Sequence, residues 1–250
     1  MSVSMVEQAL VELVDRHRAL YDGGAADAKL ASVVRAGART QLTQGDILRL
    51  LRTSRSVFFD THVEVVSGHH TATYLRFESI ARFPELIRLL AQDMVEWIRR
   101  TFHHDPVTGI VATTSAAEVL AQGIEDQLHD MMRLRLTLTP YSCDTGRIGT
   151  DLKVGTIKPG ERFLALNDVT TRGNCVGKLG KVITDHGGHL AGMMVFARRD
   201  SGQFPLMNEL VAKHPFYYAT DLDMPQWEPA NCPLCRLHKP LLSWKDMPEL

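Results

Sequence analysis

The spacing of apolar and polar residues divides the chain into a helical beginning and a longer stretch in which strands and helices alternate. From Ser4 to Tyr21, residues Val6, Leu10, Leu13, Val14 and Leu20 fall on roughly one face of an amphipathic helix, which Asp22-Gly23-Gly24 ends. Residues 25–42 are Ala-rich and weakly patterned. Thr43 to Arg52 then opens with Thr and Asp at the spacing of a capping box and continues apolar at helical spacing. The pattern turns β-like from Ser56 to Val66. A long helix is expected from about Pro84 to Thr101, carrying Leu86, Leu89, Leu90, Met94 and Trp97. Residues 130–139 alternate as a strand does, and from Ile157 onward the order is strand, helix, strand, with Gly187-Gly188 as the helix stop and His189 to Arg198 as the next strand. This alternation predicts an α/β fold in which a mostly parallel sheet is flanked by helices and joined by right-handed crossovers. Residues 1–55 read as an N-terminal helical extension. Residues 56–250 read as the α/β domain, ending in a Cys-x-x-Cys tail.

One stretch, Phe163 to Cys175 (FLALNDVTTRGNC), carries the most chemistry. Phe163, Leu164, Ala165 and Leu166 have the length and composition of a strand buried on both faces of a parallel sheet. Polar residues begin at Asn167, and Asp168 would sit at the carboxyl end of that strand, where open α/β sheets place their ligands. A carboxylate there can accept hydrogen bonds from sugar hydroxyls or hold Mg²⁺. Thr171, Arg172, Gly173, Asn174 and Cys175 lead into a helical segment from Val176 to Asp185. Backbone N–H groups and the helix dipole would therefore converge on the turn, as they do in phosphate sites. The competing reading is an ordinary strand, turn and helix in which Asn167 and Asp168 are turn formers and caps.

The order of residues in this stretch resembles the 5-phosphoribosyl-1-diphosphate (PRPP) motif of the type I phosphoribosyltransferases: four apolar residues, two acidic, two apolar, then a Thr/Gly-rich turn. Asn167 stands where the family has its first acidic residue, Thr170 replaces an apolar residue, and Arg172 and Cys175 replace small or hydroxyl residues. Further segments resemble the orotate phosphoribosyltransferase branch. Ser67-Gly68-His69-His70-Thr71-Ala72-Thr73-Tyr74 is similar to a base-pocket segment, Phe83-Pro84-Glu85-Leu86 to the start of the next helix, and Ile110 to Val119 to the diphosphate-holding strand and turn. Trp227-Glu228-Pro229-Ala230-Asn231-Cys232-Pro233-Leu234-Cys235 is similar to the tail of some members.

The resemblance implies a Mg²⁺-dependent transfer of phosphoribose from PRPP to orotate or another small nitrogenous acceptor, in a homodimer. Asp168 with Asn167 would bind the ribose hydroxyls, Asp168 being the candidate Mg²⁺ ligand. Thr171 to Cys175 would grip the 5-phosphate, and backbone amides of Thr113, Thr114, Ser115 and Ala116 the diphosphate. Tyr74, Arg76 and His70 would face the base. A mobile loop between about Thr139 and Arg162 would cover the site. It has no lysine cluster, so Arg147, with Lys153 as the other substitute, is the candidate to meet the leaving diphosphate, flanked by Gly146 and Gly149.

Several of these residues also have plainer readings. Arg147 and Lys153 suit a solvated loop, His69-His70 and His103-His104 suit partly exposed packing, and Arg76 suits an edge strand facing water. Arg198 and Arg199 either neutralise sheet-end carboxylates or cap a loop. The Cys232/Cys235 pair with His238 is half of a zinc knuckle, with no second Cys-x-x-Cys or His pair at knuckle spacing to complete it; the alternative is a turn with two half-buried thiols.

Composition narrows the function class. The 250 residues are 44% hydrophobic with net charge −1, and no apolar run reaches membrane-spanning length. Residues 1–60 hold 8 Lys/Arg against 7 Asp/Glu, which argues against a nucleic-acid face. Four cysteines do not make a secreted disulfide framework, and the amino end lacks the pattern of a secretory signal, so a cytoplasmic location is the expectation. Beside the enzyme stand two other readings: a PRPP- or nucleotide-sensing regulator that kept the fold and lost efficient catalysis, and a structural or partner-binding protein.

Overall fold

The computed structural model describes residues 5–128, 134–199 and 203–250. The amino-terminal part is not purely helical. Helices α1 (Met5–Asp22) and α2 (Ala26–Val33) lead into a strand, β1 (Val34–Ala38), before α3 (Gln44–Ser54). The weak pattern of residues 25–42 had concealed this strand, because an edge strand of five residues has too few positions for a period-two signal. Thr43 caps α3 as its spacing predicts: its side chain accepts from the Asp46 N–H at 3.2 Å and its own N–H donates to Asp46 Oδ2 at 3.0 Å.

The β-like run from Ser56 resolves into short strands, β2 (Val57–Phe58), β3 (Val63–Glu64), β4 (His70–Thr71) and β5 (Tyr74–Leu75). Then come α4 (Phe77–Ala81) and α5 (Pro84–Phe102), the latter with proline at its first position, where a missing N–H costs nothing. The α/β pattern follows as β6 (Gly109–Thr113), α6 (Ala116–Leu128) and β7 (Arg135–Thr139). Of the strand expected over 130–139, residues 130–133 lie outside the described residues. A hairpin, β8 (Tyr141–Ser142) and β9 (Arg147–Ile148), precedes β10 (Arg162–Thr170), α7 (Asn174–Asp185), β11 (His189–Arg199), α8 (Pro205–Lys213) and β12 (Phe216–Leu222). The tail adds β13 (Gln226–Trp227), α9 (Pro233–Arg236) and β14 (Leu242–Ser243). No helix among the described residues is long and apolar enough to cross a membrane.

The main sheet has the order β1-β12-β11-β10-β6-β7, parallel throughout except for β1, which pairs antiparallel with β12 at the edge. Its central strands are buried on both faces. Leu164 and Leu166 of β10 join Met194 and Phe196 of β11 in the core shared with α3, α5 and α6, while Phe163 and Ala165 join Met193 and Val195 under α7 and α8. Such a strand reads as a continuous apolar run, and each fully buried Leu or Phe contributes about 1.5–3 kcal/mol. From β6 the chain steps outward to β7 over one face through α6. From β10 it steps the other way, to β11 and β12, over the opposite face through α7 and α8. Opposite directions over opposite faces are what a single crossover hand demands.

The amino-terminal segment is joined to this core. Tyr21, Leu30, Val34, Leu50 and Leu51 share one apolar cluster with Trp97 of α5 and Tyr217 of β12. Buried Asp93 on α5 accepts from the Gln41 N–H at 2.8 Å, from the Tyr217 hydroxyl at 2.6 Å and from the Thr40 hydroxyl, so the loop before α3 is tied to both. A second, small sheet of order β13-β4-β3-β14 unites the segment before α4 with the tail.

Candidate functional site

The direction of chain travel reverses between β6 and β10, which makes their carboxyl ends the topological switch point of the sheet. β10 pairs with β6 only over Phe163–Ala165 but follows β11 as far as Thr170, so its last residues have a strand neighbour on one side and a crevice on the other. Asn167 and Asp168 stand there. Asn167 is buried; its Oδ1 accepts from the Thr113 hydroxyl at 3.5 Å and its Nδ2 donates to the Val169 carbonyl at 2.9 Å. Asp168 is half-buried and accepts from the Val169 N–H at 2.7 Å. Burial pushes its carboxyl pKa up to about 7; the nearby Glu78 charge adds to the rise and Arg199 opposes it.

Thr171–Gly173 form the turn next to this pair, and Asn174 and Cys175, expected in it, already begin α7. Gly173, at φ +85°, is the N-cap of α7 and has no side chain of its own to accept from the first N–H groups of the helix. A Cβ at Gly173 would also press within 3.0 Å of Leu210. Thr171 Oγ1 accepts from Arg199 Nε at 3.0 Å. Arg172 meets His69 Nε2 and lies over the Phe204 ring at 4.7 Å. Asn174 is exposed. Cys175 is half-buried, and burial together with Asp168 raises its thiol pKa.

The other turn differs from its expectation. Thr113, Thr114, Ser115 and Ala116 do lie at the end of β6, but the amides of Thr114 and Ser115 are engaged internally, donating to Thr139 O at 3.0 Å and Thr113 O at 2.8 Å. One of these amides is held by β7 and the other by the turn itself, and the side chains of this segment carry hydroxyls. Thr113 Oγ1 and Ser115 Oγ are 2.7 Å apart, and Thr114 Oγ1 accepts from the Tyr141 N–H at 3.0 Å.

Of the three residues expected at the base, one lies by the crevice. Tyr74 is half-buried; burial, then Glu78, raises its pKa to about 12, and Asp168 is among the charges that act on it. Arg76 is drawn elsewhere, its guanidinium donating to Met247 O and pairing with Glu249 at 2.7 Å, so it anchors the chain's own tail. His70 also lies elsewhere, and its neighbour His69 is the one that reaches Arg172 in the turn before α7. The reason is the period of two: His69 leads directly into β4, so adjacent side chains there point to opposite faces, and the sequence does not say which face is which.

The loop after β7 is tied back on itself and not free along its length. Gly149 N donates to Pro140 O at 2.8 Å, Lys153 N to Leu138 O at 2.7 Å, and the tip of the β8–β9 hairpin lies against Val66, where Gly146 at φ +64° leaves no room for a Cβ. Arg147 is exposed on this hairpin. Tyr141 at its base is the residue that sequence reasoning missed. It is half-buried, burial and then Asp168, Cys175, Glu78 and Tyr74 raise its pKa, and no motif marked it. Tyr141, Tyr74, Cys175, Glu78 and Arg199 are thus the electrostatic neighbours of Asp168. A surface hollow of about 480 Å³ lined by Gln41, Leu89, Asp93 and Arg99 includes none of them.

A second polar cluster corrects the reading of the Cys-x-x-Cys tail. Cys232 and Cys235 are not isolated thiols in a turn, because His62 and His70 complete a group whose four ligand atoms all lie within 4.8 Å of one another. The missing half of the knuckle comes from two histidines eight residues apart, one just before β3 and one beginning β4, a spacing that no linear motif encodes.

No family model matches the chain. It is 27% identical over 197 residues to the orotate phosphoribosyltransferase of Thermus thermophilus, covering 78% of this chain and 98% of that one. Among solved structures, the UMP synthase of Leishmania donovani superposes with a TM-score of 0.52 at 19% identity, over 68% of this chain and 34% of that longer one. The orotate phosphoribosyltransferase of Aeropyrum pernix superposes with a TM-score of 0.50 at 12% identity, over 68% and 90%. The chain is therefore orotate phosphoribosyltransferase-like in sequence and a type I phosphoribosyltransferase in fold.

Proposed function

We propose that the protein transfers the 5-phosphoribosyl group of PRPP to orotate or a related nitrogenous acceptor and releases diphosphate. The observation that carries this reading is the meeting, at the switch point, of the half-buried Asp168 carboxylate with the uncapped amino end of α7. One accepts from ribose hydroxyls and the other receives the 5-phosphate, so a phosphorylated sugar fits the pair end to end. In the reaction the bond from ribose C1 to the diphosphate oxygen breaks, a C1–N bond to the acceptor forms, and the acceptor nitrogen gives up its proton. Protein groups supply position and charge for this step; none of them bonds to the sugar.

Each side chain at the crevice then has a task. Asp168 orients the ribose, while Asn167, held between Thr113 and Val169, fixes the strand end that presents it. Arg172 and the α7 amides hold the phosphate. The hydroxyls of the half-buried Thr114 and Ser115 face the diphosphate, with buried Thr113 behind them on Asn167, and Tyr74 and Tyr141 close the crevice against water. Mg²⁺ suits the donor set: a half-buried carboxylate whose proton affinity is raised by burial gains from a cation, and Mg²⁺ is commonly held by one or two carboxylates plus substrate phosphates. When bound, it would neutralise the charge of the departing diphosphate.

Two observations favour a second reading, a PRPP-binding regulator with weakened catalysis. The Thr114 and Ser115 amides are engaged inside the protein, and the hairpin offers Arg147 without a lysine cluster. Titration calorimetry with PRPP, with and without Mg²⁺, followed by an assay of diphosphate release on adding orotate, separates the two. Binding with release is the expected result. Binding without release, to orotate and to other nitrogenous acceptors alike, would favour the regulator, and absence of binding would remove both.

A further inference from the structure

We propose that His62, His70, Cys232 and Cys235 hold a structural Zn²⁺ ion that joins the tail to the segment before α4. The four residues come from three places: His62 just before β3, His70 as the first residue of β4, and Cys232 and Cys235 at the cap and within the single turn of α9. His62, His70 and Cys232 are buried and Cys235 is half-buried.

Four of the distances among the ligand atoms lie within about 0.4 Å of tetrahedron edges. His62 Nε2 lies 3.1 Å from His70 Nδ1, 3.5 Å from Cys232 Sγ and 3.6 Å from Cys235 Sγ, and Cys235 Sγ lies 3.2 Å from His70 Nδ1. With Zn–N near 2.0–2.1 Å and Zn–S near 2.3 Å, a tetrahedral site has edges of about 3.3–3.8 Å. Hydrogen bonding alone does not account for the cluster. His62 Nδ1 lies 2.9 Å from the Lys239 carbonyl, which can only accept, so in the neutral ring Nε2 carries the lone pair. That single lone pair faces three neighbours at once, which suits a cation at their centre better than any one donor. The Lys239 carbonyl is then the outer partner that fixes the tautomer and aim of a ligating imidazole.

Two thiolates and two imidazoles in a tetrahedral set select Zn²⁺, and four protein ligands leave no open position for substrate, so the ion is structural. Its place in the fold gives it a task. The small sheet β13-β4-β3-β14 is built of two-residue strands, with His70 opposite Trp227 and the Leu242 N–H donating to His62 O at 2.8 Å. Strands that short hold few ladder bonds, and a bond through the metal replaces what they lack. His69, next to the ligand His70, meets Arg172, so the ion also fixes the segment that faces the phosphate turn.

The test is metal analysis of the purified full chain after reconstitution with Zn²⁺ and removal of excess, with Co²⁺ as a spectroscopic substitute. The expected results are one Zn²⁺ per chain and a Co²⁺ form with the intense visible bands and thiolate charge-transfer absorption of a tetrahedral site. Cys235→Ala should lose at least nine-tenths of the metal and melt several degrees lower, whereas His70→Cys, which keeps four ligands, should retain it. A chain that takes up no Zn²⁺ while both thiols react freely with a thiol reagent would overturn the proposal. So would a Cys232–Cys235 disulfide in place of the metal, or a Cys235→Ala variant that keeps its full Zn²⁺ content.

Discussion

The strand-end crevice and the Cys/His cluster are both polar groups set in an apolar fold, yet one is left open and the other turned inward. At the crevice, Asp168 faces a gap where β10 has lost its β6 neighbour, and burial without a full partner raises its pKa to about 7. In the cluster, four ligand atoms face one another within 4.8 Å, and a backbone carbonyl completes the outer shell. A parallel sheet produces the first arrangement by itself, because strand ends carry polar residues towards the loops at every switch point. The second needs three distant segments brought together and serves only to hold them. A carboxylate left open to a crevice marks the place for a substrate, and ligand atoms turned on one common centre mark the scaffold.

Substitutions test this contrast. The largest effect is expected for Asp168→Asn, which keeps the shape of the side chain and removes its charge: PRPP-dependent turnover should fall by about 10²–10³-fold. Unchanged turnover would deprive the crevice of its central residue. Next is Arg172→Ala, which removes the contacts to His69 and Phe204; PRPP affinity should drop about tenfold, consistent with the loss of a charged hydrogen bond. If affinity is kept, the α7 amides alone carry the phosphate.

The smallest effect concerns stability. The folded-state pKa of Asp168 is raised above its ordinary 3.8, so the stability linked to its proton is complete below about pH 4 and is lost as pH rises through 7. Asp168→Asn should therefore melt a few degrees higher than the parent at pH 8, with the difference vanishing near pH 4. A pH-independent difference would mean that the carboxylate is not desolvated. No such gain is expected in the Cys/His cluster, where removing any one member leaves the others unpaired.

Much of the fold was legible because it rests on local periodicity. The four-residue apolar run at Phe163–Leu166 is the double-buried strand, Thr43 and Asp46 make the capping box, and α5 begins at Pro84 as its pattern requires. The turn after β10 falls where the strand-to-helix order puts it, although the helix begins at Asn174, two residues earlier than its pattern suggests. Less legible was anything that depended on which face of a short strand is inward. His69 and His70 are neighbours in sequence with opposite destinations, Arg76 is captured by Glu249 near the end of the chain, and β1 joins the sheet from a stretch with no period of its own.

The sequence by itself determined the α/β order, the position of Asp168 at a strand end and the glycine turn before α7, since each depends on residues within about a dozen positions of one another. Tertiary structure alone decided that Tyr141, Glu78 and Arg199 surround that carboxylate, that the Thr114 and Ser115 amides are engaged, and that His62 and His70 meet Cys232 and Cys235 across about 160–170 residues. The reason is physical: local spacing fixes which way a backbone can fold, whereas the partners of a polar side chain are set by the packing of sheets and tails that bury it.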